Sequence, residues 1–592
     1  MADALPVVLG VEKSAAARKW VMRQTDERLS MAIAQRFGLT EAVARLLASR
    51  QVPLDAVPDF LDPKLGTLLP DPYVLKDMEK AAERLAQAVQ AGEKIAVFGD
   101  YDVDGATSSA LLVNYFQALG QKLRVYIPDR MSEGYGPNVA AFETLHEEGV
   151  QLIITVDCGT MAHEALDAAE QRGMEVIVAD HHQTGTHMPT CFALVNPKRP
   201  DDDSGLGYLA AVGVTFMLVV ALNRRLREVG YFQERQEPDL LTMLDVVALG
   251  TVCDVVPLTG VNRAFVTQGL KVMSGRRNIG LRALADIAKL DGVPMAFDCG
   301  FKLGPRINAG GRVGASDLGA RLLTTQDLDE AAALALRMEE LNRERRDIGD
   351  KALARAEEKI LHMLETRNAL PPALVLTDAS FHPGVIGIVA GRLKDKYRRP
   401  CFVIALDEDG AGKGSARSVP QVDAGGLVAK AVSQNIIAGG GGHAMAAGVT
   451  LSPGQAEAFE QFLAMELGEM SFDTPETLLL DAAISTHAAT RDFYDSFQKV
   501  GPFGADSPEP RFVIPGARVV RADIVGENHV RCALSSEGGR QLKAIAFASV
   551  DEAVRELLLK SQAPLHIAGN LRADDWRGRR GVQFMIQDVA PA

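Results

Sequence analysis

Four short stretches of the 592-residue chain combine carboxylates and imidazoles in a way that could do chemistry: GDYDVDG at 99–105, Asp157 in ITVDCG, Asp180-His181-His182 in VADHH, and Asp254 in LGTVCDVVPL. Each follows an apolar run. Crowded carboxylates repel one another and take up protons unless cations of +2 charge sit among them. Hard oxygen ligands with one or two imidazoles and no thiolate favour Mg²⁺ or Mn²⁺ over structural zinc. Two such ions roughly 3.5–4 Å apart lower the pKa of a bridging water, hold a phosphoryl oxygen and stabilise the leaving oxygen, which amounts to phosphoester hydrolysis. The expected ligands are Asp102, Asp104, Asp157, His181 and Asp254. Asp100 is a further member, and Asp157 is the one best suited to bridge. His182 is expected to meet the scissile phosphate as donor or general acid, and Asp180 to act from behind the ligands. Cys158 and Cys253 point the other way if their segments are extended, and so read as core.

Taken singly, each Asp is a turn or helix-cap residue and each His a structural one. Only the joint pattern argues for chemistry: a DxD in a glycine-bounded loop, a lone Asp after a strand and a DHH triplet in successive βαβ units.

The elements that must bring these residues together are legible in the hydrophobic rhythm. IAVFG (95–99), LRVYIP (123–128), LIITV (152–156) and MEVIVA (174–179) read as buried strands alternating with helical stretches such as 106–119. This is the α/β pattern of a doubly wound parallel sheet. The carboxyl ends of such strands converge on one crevice, so all four stretches could face a single site. Residues 327–364 lack proline and are rich in Ala, Leu, Glu, Arg and Met. One long helix of roughly 55 Å, joining two domains, fits them best; two packed helices broken near Gly349 are the alternative. A second α/β pattern runs from ALVLTD (373–378) to near Gly468. From Thr477 onward strand-like segments dominate, as in a small β-barrel of the oligonucleotide-binding kind or, equally by pattern, a β-sandwich. Residues 1–48 look mostly helical and suggest no function.

With 47% hydrophobic and 24% charged residues, the chain reads as an ordinary soluble protein of several domains. There is no basic start followed by an apolar core and no run of about 20 apolar residues, which argues against secretion or a membrane span. Six cysteines without a CxxC pair exclude a zinc ribbon and a disulfide framework and point to the reducing cytoplasm. A net charge of −14 by itself speaks against a nucleic-acid partner. An acidic metal-holding domain can nevertheless carry basic strips such as KDKYRR (394–399) and RGRR (577–580), although these read equally well as solvated surface charge.

DYDVDG, Asp157, DHH and Asp254 together resemble the motifs of the DHH phosphoesterase superfamily. GPRINAGGR (304–312), HPGVIGIVAGRL (382–393), GSARS (414–418), GGGGHAMAAG (439–448) and GPFGADSPEP (501–510) look like the successive signatures of its RecJ-type exonucleases. The resemblance covers the chain from about residue 50. After the helical segment 1–48, it implies a DHH catalytic domain (49–325), a connecting helix (326–366), a DHHA1 domain (367–468) and an oligonucleotide-binding barrel (469–592). It further implies degradation of single-stranded DNA from the 5′ end to mononucleotides with Mn²⁺ or Mg²⁺, as two ions. By the same route come roles in recombination and repair, alongside single-strand-binding protein and a RecQ-like helicase. Two residues depart from the pattern. Gly310 stands where relatives usually have alanine, which would loosen a substrate loop, and GADSPEP replaces the commoner GxGNPEP in a stretch expected to touch only the barrel.

Gly439, Gly440, Gly441 and Gly442 leave backbone N–H groups open to a phosphate, to which a following helix would add its positive end. Ser415, Arg417 and His443 are the expected helpers, Arg for bidentate contact, and Arg306 and Asn308 carry a similar expectation. The glycine run is otherwise only a tight connection. The rival enzyme is a DHH-type phosphodiesterase of short oligonucleotides or cyclic dinucleotides. Such proteins are usually shorter, and the roughly 115 residues after Thr477 favour a polymer whose bases and phosphates a barrel groove can track. A non-enzymatic binding module is disfavoured because every ligand position is filled. Nothing demands a dimer, so a monomer is expected.

Overall fold

In a computed structural model the chain is described at all residues except 1–5, 131, 186, 368, 473–474, 527, 537–539 and 576–579. The first strand, β1 (Arg18–Met22), joins the end of the chain and is taken up below. The first sheet is built from β2 (Ile95–Gly99), β3 (Arg124–Tyr126), β4 (Leu152–Val156), β5 (Glu175–Ala179) and β6 (Ala193–Val195). All pairings are parallel, in the order β3-β2-β4-β5-β6. Every residue of β2 and β4 is buried, the reason these strands read as continuous apolar runs. Helices cover both faces, with Val103–Ala118 and Ala211–Glu228 packed over the core that also receives Leu244–Cys253.

Residues Leu328–Arg367 form one continuous 40-residue helix that passes through Gly349 without a break. Its first half buries Leu334, Met338 and Leu341 against the catalytic core, and its second half buries Ala356 and Ile360 against the next domain. That domain holds β7 (Leu374–Asp378), β8 (Cys401–Leu406), β9 (Gly412–Arg417), β10 (Gly439–His443) and β11 (Ala446–Leu451), in the order β10-β11-β9-β8-β7.

The C-terminal sheet contains β13 (Ala482–Ala483), β14 (Phe512–Val525), β15 (His529–Ser535), β16 (Gln541–Ala546), β17 (Leu565–Asp574) and β18 (Gly581–Pro591). A second pairing of β14 with β17 closes it, so the segment is a barrel and not a sandwich. The N-terminal residues, expected to be mostly helical, contribute a strand as well: β1 pairs in parallel with β12 (Glu476–Leu480). The fully buried Trp20 donates its indole N–H to Asp588, 2.9 Å away, and Ser14 Oγ donates to the same carboxylate.

Two surface expectations change on the structure. GPFGADSPEP does not touch only the barrel. The buried guanidinium of Arg263, in the catalytic domain, donates to the carbonyls of Val500, Gly501 and Pro502 and lies 3.7 Å from the Phe60 ring centroid. KDKYRR is not a free basic strip. Lys396 pairs with Glu357, while Arg398 donates to Ala16 and Ala17 and Arg399 to Leu370 and Pro371. Of RGRR, Arg577, Gly578 and Arg579 lie outside the described residues, and Arg580 pairs with Asp495. Among the described residues no helix is long and apolar enough to cross a membrane.

Candidate metal centre

The chain leaves β2 into Asp100, and Asp102 then caps the helix Val103–Ala118 by accepting the Gly105 N–H at 3.0 Å. A Cβ on Gly105 would lie 2.4 Å from the Asp100 carbonyl, so glycine is what lets this turn close tightly. Asp104, one residue into the helix, accepts the N–H groups of Ala211 and Val212 at 2.7 and 2.9 Å from the start of the helix Ala211–Glu228. Asp157 follows β4 in the left-handed region, at φ 61°, a conformation L side chains hold only when the surroundings impose it. Asp180, His181 and His182 follow β5.

Asp254 is the exception. LGTVCDVVPL was expected to be extended, and it is instead the last turn of the helix Leu244–Cys253, with Asp254 at its C-cap. Cys253 therefore does not alternate away from Asp254 as on a strand; its thiol, 3.4 Å from the Cys299 carbonyl, is held by the neighbouring helical turn.

The expected ligands nonetheless meet. His181 Nε2 lies 3.3 Å from Asp157 and 3.8 Å from Asp104, and its Nδ1 lies 3.6 Å from Asp254. Three overlapping groups, Asp100/Asp102/Asp157, Asp157/His181/His182 and Asp104/His181/Asp254, each bring ligand atoms within 4.8 Å of one another. Asp157 and His181 are the shared members.

The electrostatics fit cations. Burial, and then the charge of Asp102, pushes Asp100 up to about 8. Burial and Asp254 push Asp104 to about 7, and burial and Asp102 do the same for Asp254. Asp157 is driven well above the carboxylate range by burial and by Asp102 and Asp104. Asp100 Oδ1 is buried without a hydrogen-bond partner, an uncompensated polar atom that a divalent ion would satisfy. Burial lowers His181, keeping its imidazole neutral as a ligand must be.

Asp180 is built differently. Burial opposes its ionisation, but hydrogen bonds from His182 and Thr160 outweigh that and hold it below the usual range. Its Oδ1 receives the backbone N–H groups of His181 and His182 and lies 2.8 Å from His182 Nδ1. Partial burial disfavours a charged His182, yet the contact with Asp180 raises it overall. The His182 side chain is 41% exposed, so the ring is reachable from solvent.

A cleft of about 430 Å³ lies between the catalytic domain and the second sheet. It is lined by Ser415, Arg417, Gly441 and Gly442, which belong to the set proposed from sequence for substrate contact, and by Arg130 and Arg312, which do not. Arg312 is pushed down to about 10 by burial and by the nearby charges of Arg130 and Arg345. Cations gathered this closely, with no carboxylate among the described lining residues, make the cleft electropositive, and Arg130 also lies within electrostatic reach of Asp100.

The glycine run contributes in an unexpected form. No helix follows it; Gly439 to His443 are strand β10, paired antiparallel with β11. A Cβ on Gly442 would lie 2.4 Å from the Ala446 carbonyl. His443 is exposed at the end of this strand. Arg306, expected at a phosphate, is paired with Glu339 of the long helix at 2.6 Å. Asn308, two residues further along the helix Gly304–Val313, is partly buried. Gly310 lies within this same helix and is buried, so its departure from alanine falls in regular structure and not in a substrate loop.

Residues 94–251 match the DHH family, N-terminal domain, 371–469 the DHHA1 domain, and 480–588 the RecJ OB domain. The single-stranded-DNA-specific exonuclease RecJ of Escherichia coli (strain K12) is 35% identical over 537 residues, covering 87% of this chain and 91% of that protein. The namesake protein of Bacillus subtilis (strain 168) is 33% identical over 97% of this chain and 71% of its own length. The crystal structure of RecJ in complex with Mn²⁺ from Thermus thermophilus superposes with a TM-score of 0.79 at 29% identity, covering 97% of this chain and 79% of that one.

Proposed function

The chain belongs to the RecJ family, and from that premise we propose that it removes nucleotides from the 5′ end of single-stranded DNA by cation-assisted hydrolysis. It is a metal-dependent exonuclease specific for single strands, and its cofactor is Mn²⁺ or Mg²⁺. The observation that carries the reading is the convergence of Asp100, Asp102, Asp104, Asp157, His181 and Asp254, with one Asp100 oxygen left uncompensated.

These six side chains would hold two cations, His181 through Nε2 alone because its Nδ1 faces the Leu209 carbonyl. When bound, the cations neutralise the carboxylates, lower the pKa of a water and stabilise charge on the phosphoryl group. The chain's own residues do the rest. Helix N-terminal N–H groups fix Asp104, and the Leu209 carbonyl, 3.0 Å from His181 Nδ1, orients that ring. Asp180 favours the protonated form of His182, whose ring would donate to an oxygen of the scissile phosphate as negative charge grows there. Tyr135, whose hydroxyl donates to the Asp157 carbonyl at 3.1 Å, packs edge-on against the His182 ring and limits its rotation.

The arginine-lined cleft takes a phosphate of the same strand. Arg130, Arg312 and Arg417 neutralise it, and Ser415, 3.0 Å from Arg417, sets the guanidinium's angle. Asn308, His443 and the Gly439 backbone stand as further polar contacts along the path, and Gly440 lets β10 pack closely, since a Cβ there would lie 2.6 Å from the Gly448 carbonyl. The barrel tracks the strand beyond the cleft. The reading extends to a monomer acting in the cytoplasm in recombination and repair, supplied with strands by a RecQ-like helicase and single-strand-binding protein. The unpaired state of all six cysteines suits a reducing compartment.

The test uses single- and double-stranded DNA labelled at either end and incubated with Mn²⁺, Mg²⁺ or chelator. Mononucleotides should be lost from the 5′ end of single strands only, and only with metal. Cleavage from the 3′ end, or equal attack on duplex, overturns the proposed polarity or specificity.

A further inference from the structure

Phe297 and Phe301 lie on a short helical segment that ends in a π-type turn over Cys299–Leu303, just before the helix Gly304–Val313. Their rings stack at 4.7 Å between centroids with 20° between planes. They are nevertheless 40% and 71% exposed, although large aromatic side chains normally gain most from burial. Arg572, from β17 of the barrel, places its guanidinium 4.7 Å from the Phe297 centroid. Guanidinium, ring and ring therefore form a three-layer stack whose outermost face, on Phe301, is open.

The stack has a rigid footing. Cys299 and Leu303, on the same turn, are buried, and Cys299 receives the Cys253 thiol hydrogen bond one residue before Asp254. The open ring thus belongs to a segment that touches both the helix end carrying Asp254 and the barrel, the two parts a strand must span.

We propose that Phe301, backed by Phe297 and Arg572, is a stacking platform for one unpaired base of the strand on its way from the barrel to the metal centre. This rests on the exonuclease reading above. The open surface is a flat π-face, which suits a planar heterocycle. The guanidinium behind it adds positive charge for the neighbouring phosphate. Such a platform accepts every base and no paired one, because a duplex keeps its bases stacked on one another. It therefore contributes to strand selectivity without reading sequence.

The test is a binding cycle on the full-length chain in chelator, where no strand is cut. Phe301→Ala should weaken binding of a single-stranded oligonucleotide roughly tenfold, the scale of one base–aromatic stack, and Phe301→Trp should retain it. A set of oligonucleotides with one abasic position each should contain one member that binds the unaltered chain about as weakly as Phe301→Ala binds the intact strand. That member should lose nothing further with Phe301→Ala. Unchanged affinity of Phe301→Ala, or penalties that add at every abasic position, overturns the platform. The exposure of Phe301 argues against misfolding of the variant, and unchanged thermal melts check it. If the unaltered chain with Mn²⁺ fails to degrade the intact strand, the exonuclease reading falls. If it degrades the strand and Phe301→Ala binds equally well, only the platform falls.

Discussion

The backbone N–H of Leu258 donates to the carbonyl of Ala505 at 3.0 Å, so the segment that leaves Asp254 is tied to a loop of the C-terminal barrel. Arg263, five residues on, reinforces the tie by donating to three carbonyls of the same loop. The loop thereby braces the segment that follows the candidate ligand Asp254.

Replacing Arg263 with Met keeps most of the volume but leaves buried carbonyls without a donor, at a cost of about 1–3 kcal/mol. Urea unfolding should show this loss, and calorimetric titration should show weaker Mn²⁺ binding because Asp254 loses its brace. Equal titrations for both proteins would uncouple the loop from the centre. By the same reasoning, removing residues 477–592 should weaken metal binding as well as strand binding, since it takes away both the loop and the partner of β1.

Asp102→Ala and Asp157→Ala should reduce exonuclease activity below detection with the fold retained. Mn²⁺ should raise the unfolding midpoint of the unaltered chain through ligand linkage and leave that of Asp157→Ala nearly unmoved. Asp180→Asn should cost a milder ~10–100-fold, and the alkaline limb of its pH–rate profile should shift downward as His182 loses the charge that keeps it protonated. A loss as complete as that of Asp157→Ala, at every pH, would make Asp180 a ligand.

Metal-free stability should depend on pH in a defined sense. Folding raises Asp100 to about 8 and Asp104 and Asp254 to about 7, whereas unfolded carboxyls titrate near ~4. Their contribution is then complete below about pH 4 and disappears as pH rises through about 7–8. Urea midpoints in chelator should fall across that window, and saturating Mn²⁺ should remove the decline. Binding near neutral pH should also release protons, measurable by calorimetry in buffers of different ionisation enthalpy. A metal-free midpoint that does not change with pH contradicts the buried carboxylate cluster.

Arg130→Ala and Arg417→Ala should weaken binding of single strands of any sequence. Each lost phosphate contact should make the plot of log affinity against log salt shallower by about 0.7. Unchanged slopes would mean that the cleft holds no phosphate.

Much of this centre was legible because β2, β4 and β5 are apolar runs that end in an acidic residue, and strand ends of a parallel sheet converge by topology. Asp254 meets the other candidate ligands from a helix C-cap and not from a strand end. An apolar run as short as LGTVC has no periodicity that separates a buried strand from a buried helix. The glycine run was misjudged similarly, since repeated glycine carries no hydrophobic pattern and its pairing with β11 depends on a distant partner. Arg130 sits alone in sequence and Arg312 closes the GPRINAGGR stretch without being singled out, and only folding gathers them with Arg417. Arg306 shows the converse: it stands in a motif, and tertiary structure gives it to Glu339.

The union of β1 with β12, sealed by Trp20 on Asp588, has a consequence for biosynthesis. Arg18 is synthesised 458 residues before its partner Glu476, so β1 must wait for the intervening domains before its partner strand exists. Until then β1 is an open edge with apolar side chains, the kind of species that chaperones retain and that aggregates when they are scarce. Nascent chains arrested before residue 476 should therefore carry a protease-sensitive leader ahead of an already compact nuclease core.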